Sequence, residues 1–129
     1  MTAGAQARGA KGVVISGRCR DLAEQEASGF PVFARGRSTV GQSPFTRPSA
    51  IQVPLIIKPQ PDDSDFPPTI IEPGDIVVGD LDGVVVVPQT LVEEVIALAK
   101  SGREIDQRCM ADINAGLGVQ ASFKKHRGK

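Results

Sequence analysis

Two apolar runs joined by a tight turn constrain the fold of this 129-residue chain more than any other feature. Asp75–Asp80 and Val84–Pro88 are rich in Val and Ile, which favour strands, and the Asp82-Gly83 pair between them is a strong signal for a hairpin. The second run has four consecutive valines with no alternating polar residue, a pattern that predicts a strand buried on both faces. We therefore expect a strand pair in the interior of the protein.

A helix is predicted to follow the second strand. Thr90 and Glu93 stand three residues apart before an apolar run, which fits a capping box. The helix ends at Gly102 or continues through 104–106, and residues 114–118 are predicted to form a terminating turn. Residues 119–129 are predicted to be a basic, mobile tail. One face of the helix carries the apolar residues Leu91, Val92, Val95, Ile96 and Ala99.

The first half of the chain is predicted to alternate short helices and strands. A helix that leads into a strand resembles half of an α/β unit, so the expected fold class is α/β, with a single domain over residues 1–118. The predicted elements, in chain order, are a helix over 1–11, a strand at 13–15 that stops at Ser16-Gly17, a helix over 21–28 ended by Gly29, strands at 30–34 and 51–57, and a proline-rich surface loop over 58–74.

Composition narrows the classes of function. Fifteen basic residues balance fifteen acidic ones, and the chain has five Phe but no Trp or Tyr, so neither a positive field nor an aromatic platform for nucleic acid is expected. No apolar run is long enough to span a membrane. Cys19 and Cys109 are too few and too far apart for a disulfide framework or a zinc motif. We therefore expect a cytoplasmic protein that binds neither nucleic acid nor a membrane.

The adjacent pair Arg20-Asp21, three residues after the predicted strand and its glycine turn, is the strongest candidate site. Arginine grips a carboxylate with two hydrogen bonds, and aspartate offers the hard oxygen that Mg²⁺ or Mn²⁺ prefers. A 2-oxo acid suits both groups, because its carboxylate pairs with arginine and its keto oxygen with the metal. On the dipeptide alone, however, the favoured interpretation is a surface ion pair at a strand exit, worth under ~1 kcal/mol.

Other motifs give weaker signals. Asp80 and Asp82 lie in a glycine-rich turn and are better explained by turn hydrogen bonds than by a bound cation. No Gly-x-Gly-x-x-Gly motif opens a helix and there is no Walker lysine, which argues against nucleotide, NAD and S-adenosylmethionine binding. His126 is the one histidine, so neither a Ser-His-Asp triad nor a histidine metal cluster is expected. No lysine stands out for an imine, which favours a metal route to an enolate.

Three segments together resemble the RraA-like family. They are Ala5–Asp21, Phe30–Gly36 and Pro73–Pro88, in that order. The family includes 4-hydroxy-4-methyl-2-oxoglutarate aldolases, which also decarboxylate oxaloacetate, and RraA regulators that inhibit an RNA-degrading endonuclease. Members are often labelled dimethylmenaquinone methyltransferases, a label that no cofactor motif here supports. The resemblance implies a swivelling β/β/α domain with a mixed sheet core and flanking helices, assembled as a homotrimer or hexamer.

The resemblance also implies roles for individual residues. Arg20 would be the catalytic residue that binds the substrate, and Asp21 would hold a divalent cation, Mg²⁺ or Mn²⁺. The aldolase pattern has a further Asp in a glycine-rich loop at a position upstream of Met1, so we expect the chain to be the C-terminal portion of the family fold. A neighbouring subunit also contributes an acidic residue in aldolases, for which Glu94 and Glu104 are candidate counterparts. Ser16 stands where many members have Asp or Asn.

The leading hypothesis is a divalent-metal-dependent carbon–carbon lyase that acts on a small 2-oxo acid and releases pyruvate through a metal-stabilised enolate. This activity is expected of the full-length protein. One alternative is a non-catalytic, RraA-like regulatory protein that binds a partner. Another is an inactive truncated form that still oligomerises.

Overall fold

A parallel pair of strands organises the first part of the chain. In the computed structural model, which describes residues 1–59 and 65–128, β1 (Val13–Cys19) runs parallel to β2 (Val32–Arg37). The prediction that the first strand stops at Ser16-Gly17 is wrong, because the register shifts between Ile15 and Arg18 and the strand then continues. An irregularity of this kind bends a strand without ending it. β1 therefore carries its later residues to the carboxyl end of the pair, beside the end of β2.

Two short helices accompany this pair, as predicted. α1 (Thr2–Ala7) precedes β1, and α2 (Leu22–Ala27) connects β1 to β2, since parallel strands need a crossover connection. Gly29 ends α2 with a φ of 62°, a left-handed conformation that glycine adopts without steric cost. Phe30, the next residue, is buried. Pro31 lies just before β2, where its missing N–H costs no ladder hydrogen bond.

A second strand pair lies farther along the chain. β3 (Leu55–Ile57) covers only the part of the predicted 51–57 strand that follows Pro54, and it pairs antiparallel with β4 (Thr69–Ile71). β4 lies inside residues 58–74, so the prediction of a loop over that whole stretch is wrong at Thr-Ile-Ile. These β-branched residues favour a strand once a partner is available. Residues 60–64 of the predicted loop lie outside the described residues.

The hairpin predicted from the Asp82-Gly83 pair is present. β5 (Ile76–Gly79) and β6 (Val84–Val87) form a two-stranded sheet. In the turn, Asp80 Oδ1 accepts a hydrogen bond from the Asp82 backbone N–H at 2.8 Å, so this carboxylate shapes the turn as predicted. The prediction that the valine strand is buried on both faces is wrong for the chain by itself, because Val85 is 62% exposed.

A long helix occupies most of the remaining chain. A 3₁₀ turn at Gln89–Leu91 leads into α3 (Val92–Asn114), which continues through Gly102. The predicted capping box is wrong, because the residue at the N-cap is Leu91 and no side chain caps the helix. Two acidic residues in the first turn, Glu93 and Glu94, instead favour the start of the helix through its dipole.

A second helix takes the place of the predicted basic tail. The turn at 114–118 is present, with Gly116 at a φ of 93°, and it leads into α4 (Val119–Arg127). Ser122 of α4 is fully buried, and its hydroxyl donates a hydrogen bond to the carbonyl oxygen of the buried Cys109 on α3 at 3.2 Å. This contact fixes α4 against α3, which explains why the segment is helical rather than frayed.

Ion pairs between the two helices complete this contact. Lys125 Nζ and His126 Nε2 lie 2.9 and 2.7 Å from Asp112 Oδ2, and Arg127 pairs with Asp106 at 2.6 Å. The hydrogen bonds from Lys125 and His126 hold the pKa of Asp112 below its usual value of 3.8. Lys125, His126 and Arg127 of α4 therefore pair with acidic residues of α3, rather than being solvated as a charged tail.

The chain divides by its contacts into two units, Met1–Val86 and Val87–Lys129. The mixture of helices and strands confirms the predicted α/β class, whereas the single domain over residues 1–118 stays a prediction. Among the described residues, Phe30 and Cys109 are the buried hydrophobic side chains. No helix of the described part of the chain is long and apolar enough to cross a membrane.

Candidate anion and metal site

The carboxyl ends of β1 and β2 form a concave surface that contains Arg20 and Asp21. Its volume is about 610 Å³. Ligands of α/β proteins commonly bind outside the carboxyl ends of parallel strands, and the α2 crossover places its first residues at this end. The lining residues are Arg18, Cys19, Arg20, Asp21, Leu22, Arg37, Ser38, Thr39 and Val40.

The candidate pair forms an open ion pair. Arg20 Nε lies 3.4 Å from Asp21 Oδ2, and the two side chains are 51% and 59% exposed. The ion pair that the dipeptide alone predicted is therefore present. An exposed pair of this kind contributes at most about 1 kcal/mol. Because the interaction is weak and both groups face solvent, a ligand can reach the guanidinium and the carboxylate at little cost.

The backbone of Asp21 has an unusual conformation. Its φ and ψ of 65° and 40° place it in the left-handed region, although it occupies the N-cap position of α2. Aspartate at an N-cap is normally extended and accepts a backbone hydrogen bond, but this carboxylate makes no capping bond. A left-handed non-glycine residue costs on the order of 1–3 kcal/mol and is most common at functional sites. The conformation leaves the carboxylate free for another contact.

Arg20 is held through its backbone rather than through its guanidinium. Gln25 Nε2 donates to the Arg20 carbonyl oxygen at 2.7 Å, and the Gln25 N–H donates to the Asp21 carbonyl oxygen at 3.1 Å. A β carbon placed on Gly41 would lie 3.7 Å from Arg20 Nη1, so the guanidinium lies beside a residue that has no side chain. The α2 helix therefore fixes the main chain of the pair and leaves room around its cation.

Further arginines surround the pair, and the sequence interpretation missed them. Arg18 and Arg37 line the same concave surface, and Arg35 lines a neighbouring one. The signal was an Arg-x-Arg pattern that occurs twice, at 18–20 and 35–37. Its meaning depends on the topology, because only the parallel pairing of β1 and β2 brings the two copies to one end of a sheet.

The residues present fit a hydrated divalent cation rather than a closed metal cage. Within residues 1–59 and 65–128, no group of three or more His, Cys, Asp or Glu side chains could enclose a metal. Asp21 provides one exposed carboxylate in the concave surface. Mg²⁺ is often held by one or two carboxylates together with water and substrate oxygens. Glu94 and Glu104 lie on α3, and their assignment to a site stays a prediction.

Comparisons with a family profile and with known proteins indicate the same family. The RraA-like profile, described as Aldolase/RraA, matches residues 1–86. A protein of Halalkalibacterium halodurans named "Putative 4-hydroxy-4-methyl-2-oxoglutarate aldolase" is 36% identical over 122 residues, which are 94% of this chain and 53% of that protein. An uncharacterised protein of Methanocaldococcus jannaschii is 34% identical over 116 residues, which are 90% of this chain and 51% of that protein.

A solved structure supports the same fold. The crystal structure of an uncharacterised protein from Pseudomonas syringae pv. tomato superposes with a TM-score of 0.81 at 36% identity, covering 95% of this chain and 56% of that one. The chain thus spans about half the length of the curated relatives that it matches.

Proposed function

Because the chain belongs to the RraA-like family, we propose that it acts as a divalent-metal-dependent carbon–carbon lyase on 2-oxo acids, with pyruvate as a product. The observation that carries this proposal is the Arg20-Asp21 pair, a half-exposed cation and a half-exposed carboxylate at the carboxyl end of β1. The name of the Halalkalibacterium relative supports a 2-oxo acid as the substrate.

Arg20 binds the substrate in this proposal. Its planar guanidinium donates two parallel hydrogen bonds to the carboxylate of the 2-oxo acid. Gln25 fixes the main chain of Arg20, from which this side chain extends into the concave surface. Arg18 and Arg37 add positive potential to the same concave surface, which attracts an anionic substrate.

Asp21 holds the Mg²⁺ or Mn²⁺ ion, directly or through water. A bound divalent cation supplies Lewis-acid polarisation of the substrate's keto group. The left-handed backbone keeps the Asp21 carboxylate away from the helix N–H groups that would otherwise compete for it. The same proposal includes a homotrimeric or hexameric assembly, a cytoplasmic location and a single domain over residues 1–118. Light scattering coupled to size-exclusion chromatography measures the size of the assembly.

The test is pyruvate release from oxaloacetate and from 4-hydroxy-4-methyl-2-oxoglutarate, followed with a coupled dehydrogenase. Wild-type protein is expected to release pyruvate in the presence of Mg²⁺ or Mn²⁺, and this release is expected to stop when a chelator is added. Asp21→Asn is expected to remove the metal-dependent rate. Glu24→Gln is the matched control, because Glu24 is an exposed acid in the first turn of α2 that does not line the site. A wild-type rate no higher than that of the protein-free reaction would contradict the proposal and favour a non-catalytic binding protein.

A further inference from the structure

We propose that Arg18, Arg35 and Lys58 form a second anion subsite, which binds the distal carboxylate of a dicarboxylic 2-oxo acid and sets a preference over monocarboxylic ones. The inference rests on the proposed function, since it assigns residues to the far end of the same substrate. It concerns a concave region of about 890 Å³ that adjoins the Arg20-Asp21 surface.

Positive charge is concentrated in this region. Arg18 comes from β1, Arg35 comes from β2, and Lys58 directly follows β3, so the three cations come from three separate segments. In the described part of the chain, the ion pairs are formed by other cations. The Ser16 hydroxyl adds a neutral donor. Cations brought together without a paired carboxylate repel one another, and an anionic ligand relieves that repulsion.

The region is held in place by contacts between its strands. The Arg35 guanidinium donates a hydrogen bond to the Lys58 carbonyl oxygen, which ties β2 to the end of β3. A β carbon placed on Gly36 would lie 3.8 Å from Arg18 Cγ, so the stem of Arg18 runs over a residue without a side chain. These contacts restrain the Arg35 guanidinium and the stem of Arg18, and a restrained cation loses less entropy when it binds a carboxylate.

Arg18 is the residue common to both concave surfaces. We therefore expect a 2-oxo acid bound to Arg20 through its first carboxylate to extend past Arg18 into the second region. A ligand that lacks the second carboxylate leaves these cations without their partner. Sites built to bind a polar group reject an analogue without it far more strongly than apolar pockets reject a missing methylene.

The experiment compares two five-carbon ligands that differ at the distal end, 2-oxoglutarate and 2-oxopentanoate. Isothermal titration with Mg²⁺ at fixed ionic strength measures the affinity of each. Wild type is expected to bind 2-oxoglutarate at least about tenfold more tightly, as charge-assisted hydrogen bonds predict. Lys58→Gln is expected to lower the affinity for 2-oxoglutarate by about tenfold and to leave the affinity for 2-oxopentanoate unchanged. Arg8→Gln is the charge-matched control, since Arg8 lines neither region.

The outcomes separate this inference from the proposed function. Arg20→Gln is expected to lower the affinity for both ligands equally. Because the titration measures binding without turnover, an absence of pyruvate release would overturn the proposed lyase activity but not the subsite. Equal affinities of wild type for the two ligands, or no binding of either, would overturn the subsite. It would also be overturned if Lys58→Gln weakened both ligands alike, because that result would indicate a general field rather than a specific contact.

Discussion

Asp21 offers a substitution that separates backbone conformation from chemistry. Its backbone is left-handed, and its carboxylate does not cap α2. We expect Asp21→Gly to abolish metal-dependent pyruvate release while leaving the free energy of unfolding nearly unchanged. Asp21→Ala is expected to abolish the same activity and also to destabilise the protein, because alanine keeps a β carbon but has no polar group to favour this conformation.

The expected change in the free energy of unfolding is the sum of three contributions with different signs. A left-handed conformation costs an ordinary L-residue about 1–2 kcal/mol, which glycine avoids. Glycine loses roughly 0.5–1 kcal/mol more chain entropy on folding. The ion pair with Arg20, exposed on both sides, is worth at most about 1 kcal/mol. The glycine variant should therefore lie within about 1 kcal/mol of wild type. The alanine variant, which keeps the left-handed cost and loses the ion pair, should lie up to about 1 kcal/mol below wild type.

Urea unfolding followed by far-ultraviolet circular dichroism measures these free energies, with Glu24→Gln as a neighbouring charge control. The reasoning on Asp21 would be refuted by a glycine variant more than about 2 kcal/mol less stable than wild type, because the carboxylate would then be structural. A glycine variant that kept its metal-dependent rate would refute the catalytic assignment.

Two further predictions concern packing and charge. A β carbon on Gly79 would lie 2.6 Å from Phe33 Cζ, so Gly79→Ala is expected to cost about 1–3 kcal/mol in urea unfolding, and an unchanged midpoint would contradict this contact. Lys125 and His126 lower the folded-state pKa of Asp112, so this carboxylate contributes stability above about pH 3.8 and loses it as the pH falls through the folded-state pKa. Between pH 2 and 5, the midpoint of thermal unfolding should fall less steeply with decreasing pH in Asp112→Asn than in wild type. The same pH dependence in both proteins would argue against the pairing of Asp112 with Lys125 and His126.

Local patterns were sufficient to predict several elements of the fold. The β-branched runs and the Asp-Gly pair predicted β5 and β6, and Gly29 predicted the end of α2. Contacts that are distant in sequence were not predictable in the same way. β4 forms because Ile70 pairs with Ile56, and α4 forms because its Ser122 meets Cys109 on α3.

The candidate site was predictable only in part. The adjacency of Arg20 and Asp21 could be seen in the sequence, as could their suitability for a carboxylate and a metal. The left-handed backbone of Asp21 could not, because aspartate also suits an ordinary N-cap. The proposed role of Arg18 and Arg35 can be inferred only when the parallel register of β1 and β2 is known.

Manganese binding tests the central claim, that Arg20 and Asp21 form a metal-assisted 2-oxo acid site, most directly. Electron paramagnetic resonance measures free Mn²⁺ in the presence of the protein, with and without oxalate, a planar dicarboxylate that chelates metals as a 2-oxo acid does. Wild type is expected to bind Mn²⁺ more tightly with oxalate present. Arg20→Gln should bind Mn²⁺ without this enhancement, and Asp21→Asn should lose both effects. Equal Mn²⁺ binding by Asp21→Asn and wild type would contradict the account.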